Sequence, residues 1–481
     1  MINRQPNNRR APAVIDIDSL VPRFHLLRKI ERSMDWDAVY SLVEHLYSKS
    51  VGRPSIDPVV LIKIVLLQHL YGHLSLRETM RVCEDSVSYR WFLGYGLPDD
   101  LPHFSTVSYN FLHRFGSDVF EQIFSMVLEQ AIDSGYVKPE VIFVDGTHIK
   151  ANANRKKQMK VHVPAAVKQY KEILHKEINE DREAHGKKPF DDDDDDSIPP
   201  ATKEISVSTT DPESGLFHKG EHEKCFAYTA QTACDANNFV LGVTVAPGNV
   251  HDSVQFDAIY REVSTRFPEI SVVTADAGYK TPWICKQIFD DGRIPSLPYK
   301  RPMTKKGNLP WYEYVHDEYY DCVLCPQNRV LNYSTTNRDG YREYKSKPYV
   351  CKNCPVRERC TQSKTCQKTV TRHIWADYLE RAEDVRYSPL GKETYEKRSR
   401  TIERVFADAK EKHGMRYTTY RGLSQVTNWV RLKFAAMNLK KLANWRYPTP
   451  PFQSFFQNFM PFQAKTPFTR ECVGRFSTGC G

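Results

Sequence analysis

Two short apolar runs each lead into an aspartate, and this repeated pattern constrains the fold more than any other feature. Val141–Val144 precedes Asp145, and Ile270–Thr274 leads through Ala275 into Asp276. Continuous apolar runs of this length predict strands that are buried in a sheet. A carboxylate at the end of a buried strand is costly unless it is paired or bound to a metal ion. The pattern therefore predicts a sheet whose strand ends carry two functional acids.

The residues between and after these runs predict that the sheet is mixed and flanked by helices. The predicted elements are a hairpin of Cys225–Cys234 and Phe239–Ala246, helices over Ser253–Phe267 and Pro282–Asp290, and a strand over Ile294–Tyr299. The order strand, hairpin, helix, strand, helix, strand is typical of an α/β fold with a helix crossover on each side of the Asp276 strand.

Changes in composition along the 481 residues predict several segments. These are an all-α N-terminal domain over 1–135, the first part of the sheet domain over 136–300, a cysteine-rich insertion over 301–388, C-terminal helices of the sheet domain over 389–446, and a flexible tail over 447–481. A further insertion is expected at 155–220. It contains an amphipathic helix over Pro164–Glu183, and the like charges of Asp191–Asp196 predict a solvated, mobile loop.

Capping signals mark the helices of the N-terminal domain. Asp57 and Pro58 predict a helix start, and Gly72 is expected to end the apolar helix Val59–Leu70. Ser75-Leu-Arg-Glu78 has the spacing of a capping box and predicts the next helix. Short helices joined by tight turns fit a helix-turn-helix DNA-binding unit, and they fit a plain helical bundle equally well.

The charge balance favours a polyanionic partner. The formal net charge is +9 and the sequence pI is about 8.8, a moderate basic excess. Met1–Pro12 is polar and basic, and the most apolar run, Val59–Leu67, is short and carries Lys63. We therefore expect a soluble, cytoplasmic protein without a signal peptide or a membrane span.

Cysteines are concentrated in the predicted insertion over 301–388. Six of the 12 lie between Cys322 and Cys366. The two CxxC pairs, Cys322 with Cys325 and Cys351 with Cys354, predict a structural zinc site, for which Cys360 and Cys366 are competing ligands. The alternative is a set of free thiols. Arg357 and Arg359 lie beside these cysteines, which places DNA within reach of the site.

A third acid completes a candidate metal centre. Glu403 lies within a helix predicted over Thr394–Lys412, among the basic residues Arg400, Arg404 and Lys410. A basic helix face suits a phosphate backbone, although a glutamate in a helix is more often simply solvated. Converging carboxylates are the hard ligands that Mg²⁺ or Mn²⁺ requires, and two such ions can drive phosphodiester chemistry.

Three motifs that contain these acids resemble a known family. They are Val144-Asp-Gly-Thr147, Thr274-Ala-Asp-Ala-Gly-Tyr279 and Ile402-Glu-Arg-Val-Phe-Ala-Asp-Ala-Lys410. In this order they resemble the catalytic blocks of bacterial insertion-sequence transposases of the DDE superfamily. Ala246-Pro-Gly-Asn-Val-His-Asp-Ser253 and the N-terminal helices resemble other parts of the same proteins. The similarity extends over about residues 50–445.

The resemblance implies a ribonuclease-H-like fold in which Asp145, Asp276 and Glu403 hold two Mg²⁺ or Mn²⁺ ions. It implies a DNA transposase that cleaves double-stranded DNA at terminal inverted repeats and transfers the freed 3′ end to target DNA. Synapsis of two ends implies a homodimer. His251 and Asp252 are expected near the site, behind the metal ligands.

Many relatives carry a tyrosine, arginine, glutamate and lysine signature around the third acid. Tyr395 and Arg398 have the family's spacing to each other, but Arg398 lies one residue too far from Glu403. Either Arg398 or Arg400 is therefore expected to fill the arginine position, while Arg400, Arg404 and Lys410 are expected to contact DNA.

Two other functions fit parts of the sequence. A zinc-containing DNA-binding regulatory protein on an inactive nuclease-like core accounts for the cysteines and the basic charge. The presence of all three acids argues against an inactive core. A helical scaffold that uses its aromatic segments as an interaction surface has no positive support in the sequence.

Overall fold

The computed structural model describes residues 14, 16–48, 55–164, 170–191, 202–219, 223–302, 304 and 306–450. Nearly all of the predicted acidic loop Asp191–Asp196, from Asp192 onward, and the predicted tail beyond residue 450 lie outside these residues.

The N-terminal part is helical, as the sequence predicts. Its helices are α1 (Ile17–Leu20), α2 (Leu26–Ser33), α3 (Trp36–Val43), α4 (Pro58–Tyr71), α5 (Leu76–Asp85), α6 (Val87–Leu93), α7 (Phe104–Tyr109) and α8 (Ser117–Asp133). The capping signals are confirmed. The Asp57 carboxylate accepts the Val59 N–H at 2.8 Å, and Gly72 ends α4 at a φ of 70°. The Ser75 hydroxyl accepts the Glu78 N–H at 3.2 Å.

Helix α4 is apolar on nearly every face because it forms the centre of the N-terminal core. Within the described residues, no single helix is both long and apolar enough to cross a bilayer. Helices α4 and α5 reach that threshold only when they are taken together across a 97° bend.

An eight-stranded mixed sheet follows. Its strands are β1 (Val141–Lys150), β2 (Gln158–Pro164), β3 (Thr202–Ser208), β4 (Gly215–Lys219), β5 (Glu223–Cys234), β6 (Val240–Pro247), β7 (Val272–Ala275) and β8 (Ile294–Ser296). Their spatial order is β2-β3-β4-β5-β1-β7-β8, and β6 also pairs with β5. Strands β7 and β8 run parallel to β1, and β5 runs antiparallel to it. The mixed sheet and the β5–β6 hairpin are confirmed.

Two expectations about these strands were wrong. Strand β1 does not end before Asp145 but continues to Lys150, because its second half still pairs with β5. The insertion at 155–220 is more than a helix and a loop. It also supplies β2, β3 and β4, which extend the sheet beyond β5. Polar, alternating strands such as β3 are exposed on at least one face, so they lack the continuous apolar signal of β1.

Nine more helices follow among the described residues, and several of them cover the eight-stranded sheet. They are α9 (Lys171–Ala184), α10 (Asp252–Arg266), α11 (Pro282–Asp290), α12 (Pro348–Lys352), α13 (Arg357–Cys360), α14 (Ala376–Tyr387), α15 (Pro389–Lys397), α16 (Ile402–Lys412) and α17 (Leu423–Arg446). Helix α17 belongs to both large cores. Trp429 and Phe434 pack with the sheet, whereas Leu439 and Leu442 pack with the N-terminal helices. This buried helix is therefore one of the elements that tie the N-terminal helices to the sheet.

The two insertions pack against each other. The cysteine-rich segment contains a five-stranded sheet of β9 (Val315–Asp317), β10 (Cys322–Leu324), β11 (Val330–Thr336), β12 (Tyr341–Lys345) and β13 (Thr369–His373). Asp181 of α9 is buried against this sheet and accepts hydrogen bonds from Arg342 at 2.6 and 2.8 Å. Arg182 donates to the Thr336 carbonyl at 2.8 Å. Segments far apart in the sequence thus form one lobe.

Candidate active site

The register of the sheet brings the two predicted aspartates side by side. Strands β1 and β7 are parallel, and Val144 pairs with Ala275. Asp145 and Asp276 are the next residues on the two strands, so their side chains leave the same edge of the pairing. Each carboxylate accepts a hydrogen bond from the following backbone N–H, with the Gly146 N–H at 2.9 Å from Asp145. Asp276 also caps a short 3-10 turn at Ala277–Tyr279.

Glu403 reaches this edge through an arginine. The Arg398 guanidinium donates from Nη2 to Asp145 at 2.5 Å and from Nη1 to Glu403 at 2.9 Å. The side chains of Asp145 and Arg398 are 17% and 12% exposed, whereas that of Glu403 is 52% exposed. The arginine therefore lies inside the site, between one buried acid and one accessible acid.

A break in the predicted helix explains which arginine takes this place. The single helix expected over Thr394–Lys412 was wrong, because α15 and α16 are separated by a 3-10 turn at Arg398–Arg400. Thr401 follows with φ −112° and ψ −99°, outside helical values. This turn absorbs the additional residue between Arg398 and Glu403. Arg398 thus faces the acids, and Arg400 is exposed on the far side of the turn.

Burial makes Asp145 unusual among the three acids. Burial raises the pKa of Asp145 to about 6, the Arg398 guanidinium opposes that rise, and the carboxylates of Asp276 and Asp252 add to it. A cation bound beside this carboxylate would stabilise its ionised form. Tyr395 lies on the same side, where burial raises the pKa of its hydroxyl and the charges of Arg398, Asp276 and Glu403 act on it.

A polar layer behind Asp145 fixes the local backbone, and the sequence analysis missed most of it. Gln231 of β5 donates to Asp252 at 2.6 Å and accepts a hydrogen bond from the buried Tyr279 hydroxyl. A Cβ on Gly146 would lie 2.6 Å from the Gln231 amide nitrogen and 2.8 Å from an Asp252 oxygen. Asp252 lies near the metal-ligand candidates, as expected. His251 is exposed and accepts the Ser253 N–H at the start of α10.

The predicted DNA contacts occupy different faces of α16 and the preceding turn. Arg400 and Arg404 are exposed and line a cavity between α16 and α17, while Lys410 is half-buried. All three residues are close to Glu403 in the sequence. Only the structure shows that Arg400 and Arg404 line this cavity and that Lys410 is not among its lining residues.

The cysteines of the predicted zinc site are not gathered as expected. Cys322 is buried in β10, where its backbone pairs with β9 and β11. Cys325 and Cys360 instead pack against one small core, and the Cys360 sulfur lies 3.1 Å from the Tyr314 hydroxyl. Burial raises the pKa of Cys360, and the Cys351 and Cys325 thiols add to this rise. The structure thus associates Cys360, rather than Cys322, with the other thiols.

Among the described residues, Glu318, Asp377 and Glu380 form the group of potential ligands whose donor atoms all lie within 4.8 Å of one another. All three are exposed, and Arg372 forms ion pairs with Asp377 and Glu380. A neighbouring cation thus already contacts two of these three acids, and we assign them no metal. Neither the predicted acids around Arg398 nor the four predicted cysteine ligands are gathered this closely in the described part of the chain.

Family comparisons agree with this site. A transposase DDE domain matches residues 324–443, and a transposase domain (DUF772) matches residues 15–113. Both matches support an insertion-sequence DDE transposase. The first match contains Arg398 and Glu403, while Asp145 and Asp276 lie between the two matched ranges. A comparison with curated proteins found no match.

The chemistry of the donors at this site fits divalent metal ions. Asp145, Asp276 and Glu403 offer carboxylate oxygens, which Mg²⁺ and Mn²⁺ prefer. The buried Asp145 is neutralised by an arginine that reaches in from a separate turn, so the acids already attract a cation. The Asp145 and Glu403 carboxylates contact different nitrogens of this guanidinium.

Proposed function

We propose that this protein is a DNA transposase that cleaves its element's ends and joins them to target DNA, with Asp145, Asp276 and Glu403 as the metal ligands. The observation that carries this proposal is the register Val144↔Ala275, which sets two acids from distant segments next to each other. The double contact of Arg398 adds Glu403 to them. Chance does not readily align three acids from three separated motifs.

The fold supports the same proposal. The order β1, β5–β6 hairpin, α10, β7, α11, β8 is the strand, hairpin, helix, strand, helix, strand order expected of a ribonuclease-H-like core. The third acid comes from a helix that packs beside β1. Rigid strands and a buried helix hold the carboxylates in place, and such rigidity is what a metal-dependent phosphoryl transfer needs.

The protein's own groups prepare the site. Asp145 and Asp276 would be ligands of the two metal ions. Glu403, which is more exposed, would be a further ligand from the solvent side of the site. When bound, the two ions would activate the attacking hydroxyl and stabilise the leaving 3′ oxygen. Gln231, Asp252 and Tyr279 keep the backbone at Gly146 in position. Arg398 orients the acids and, as a planar donor, is suited to the scissile phosphate.

DNA contacts would come from the basic residues beside the site. Arg400, Arg404 and Lys410 flank Glu403 on α16 and its preceding turn, and phosphate contacts of this kind supply salt-dependent affinity. Double-stranded terminal repeats and target DNA are the partners in this scheme, and two copies of the chain would hold two ends together.

A cleavage assay on a duplex that carries the DNA flanking the gene tests the proposal. We expect Mg²⁺-dependent nicking by the wild-type protein and none by Asp145→Ala, Asp276→Ala or Glu403→Ala, with DNA binding retained. Glu411→Ala is the matched control, because Glu411 lies on the same helix but is exposed and paired with Arg416. Salt-sensitive DNA binding without any cleavage by the wild type would favour a regulatory DNA-binding protein instead.

A further inference from the structure

A basic groove lies behind the Glu403 helix. It is bounded by α16, α17 and the turn of the β5–β6 hairpin, and its cavity volume is about 510 Å³. This is within the range of ligand sites, roughly 300–1,000 Å³. The cations that line this α16–α17 groove are Arg400, Arg404, Lys412, Lys440 and Lys441. Asp408 is the acid among the lining residues.

Most of this positive charge has no ion-pair partner among the described residues. Asp408 is paired with Lys412 at 2.7 Å, and its charge also acts on Lys440 and Lys441. Lys441 donates to the Asn237 carbonyl at 2.5 Å, a neutral acceptor. Among the described residues, no carboxylate lies within ion-pair distance of Arg400, Arg404 or Lys440. The groove therefore presents a positive potential to solvent.

Two of the lysines are held partly out of water. Burial lowers the pKa of Lys440, and it lowers the pKa of Lys441 to about 8. The carboxylate of Asp408, and for Lys441 that of Asp235, partly oppose this effect, and an anion bound beside the half-buried ammonium groups would oppose it further. This burial adds to the geometric evidence that the groove receives an anion.

The groove adjoins the candidate active site. Asn238, in the hairpin turn, donates from its side chain to the Arg400 carbonyl at 3.2 Å. Arg400 ends the same 3-10 turn that begins at Arg398, the residue in contact with Asp145. Arg404, Asp408 and Lys412 of α16 are spaced by four residues, which places them along one side of the helix. The α16–α17 groove and the acids therefore lie at the two ends of one 3-10 turn.

We propose that the α16–α17 groove binds the sugar-phosphate backbone of DNA next to the cleavage site. This inference rests on the proposed function, and it adds Lys440 and Lys441 of α17, with the hairpin turn, to the DNA-binding surface. The same phosphate chemistry is offered by the element's end and by target DNA. A non-specific duplex therefore tests the groove itself, and separate reactions distinguish the two sources.

The salt dependence of DNA binding tests the groove. Arg404→Ala/Lys440→Ala in the full chain removes two phosphate contacts, and its control, Lys176→Ala/Arg261→Ala, removes the same charge from α9 and α10. Affinity for a non-specific 30-bp duplex is measured over a range of NaCl concentrations. Because each phosphate contact contributes about 0.9 to the slope of log affinity against log salt, the groove variant should lose about 1.8 from that slope. The control should keep it.

Two reactions identify which DNA lies in the groove. Slower cleavage of an intact end by the groove variant would assign the groove to the end. Normal cleavage with slower joining of a pre-cut end to a plasmid would assign it to target DNA. An unchanged salt slope, with the thermal midpoint also unchanged, would overturn the inference.

Different results would reject the DNA-binding role of the groove and the proposed function. A wild-type protein that binds DNA but does not cleave it, together with a reduced slope in the groove variant, would reject the function and retain the groove. A wild-type protein that cleaves, with a groove variant of unchanged slope, would reject the groove and retain the function.

Discussion

The Arg398 guanidinium lies 2.5 Å from the Asp145 carboxylate, although the two residues are 253 positions apart in the chain. The same guanidinium holds Glu403 at 2.9 Å. One side chain from a short 3-10 turn thus positions two of the three acids. This relationship distinguishes Arg398 from Arg400, which lines the α16–α17 groove.

Replacement of Arg398 should therefore damage catalysis more than replacement of Arg400. Loss of the guanidinium frees Asp145 and Glu403 to reorient, and misplacement of reacting groups by about 1 Å can cost on the order of 100-fold in rate. We expect Arg398→Ala to lose about that much in single-turnover cleavage at saturating protein, and Arg400→Ala to lose far less. Equal losses in the two variants would contradict the assignment of Arg398.

Metal binding should weaken in acid through Asp145. Its pKa is raised to about 6 from an ordinary value of 3.8, so the folded state holds the proton more tightly than the unfolded state. Without metal, this group lowers stability at neutral pH, and stability is regained as pH falls from about 6 towards 4. Protons then compete with Mg²⁺ for the carboxylate.

We expect Mg²⁺ to raise the thermal midpoint at pH 7.5 and to lose most of this effect below about pH 6. Asp145→Asn should show little Mg²⁺ effect at either pH. A Mg²⁺ effect in the wild type that is equal at pH 5 and pH 7.5 would show that Asp145 is not a ligand.

Zinc content should depend on Cys360. The thiols of Cys325 and Cys351 raise the pKa of Cys360, whereas Cys322 is buried within β10. If the segment holds a structural zinc ion, Cys351→Ser and Cys360→Ser should each lower the zinc content of the purified protein, and Cys322→Ser should leave it unchanged. Elemental analysis of the three variants measures this. Zinc loss in Cys322→Ser and Cys351→Ser, with none in Cys360→Ser, would restore the ligand set expected from the two CxxC pairs.

Because of Lys433, the free energy of unfolding should depend on pH in the alkaline range. It is 2% exposed, and burial lowers its pKa to about 7. Between about pH 7 and 10 the unfolded chain binds a proton that the folded chain does not, so stability rises with pH, by at most about 1.4 kcal/mol per pH unit.

Lys433→Met lacks this titration, although it leaves the His413 carbonyl without its lysine donor. Urea unfolding at pH 7 and pH 9 should therefore show the wild type gaining stability relative to Lys433→Met at the higher pH. A constant difference between the two proteins would show that the lysine stays charged in the fold.

The sequence predicted the elements whose signals are local. Strand β7 and the hairpin follow from buried apolar runs and turn residues, and α11 was predicted at its observed bounds of Pro282–Asp290. From the sequence, Asp145 and Asp276 could be placed only at the ends of two strands of one sheet. Their register depends on β1 and β7 packing between helices, which no local pattern encodes.

Long-range contacts account for what the sequence analysis missed. The break at Arg398–Arg400 has no proline or glycine to mark it, since it is set by contacts with Asp145 and the hairpin turn. Gln231 and Tyr279 are ordinary strand and turn residues until the fold joins them behind Gly146. A buried glutamine facing a buried tyrosine is recognisable as a site only in three dimensions.

Cleavage of a duplex that carries the DNA flanking the gene is the direct test of Asp145, Asp276 and Glu403 as catalytic acids. With Mg²⁺ present, we expect a specific nick at the repeat end by the wild-type protein and by Glu411→Ala. We expect no nick by Asp145→Ala, Asp276→Ala or Glu403→Ala, each of which still binds the duplex. Cleavage at the wild-type rate by any of these three variants would contradict the assignment of the catalytic acids.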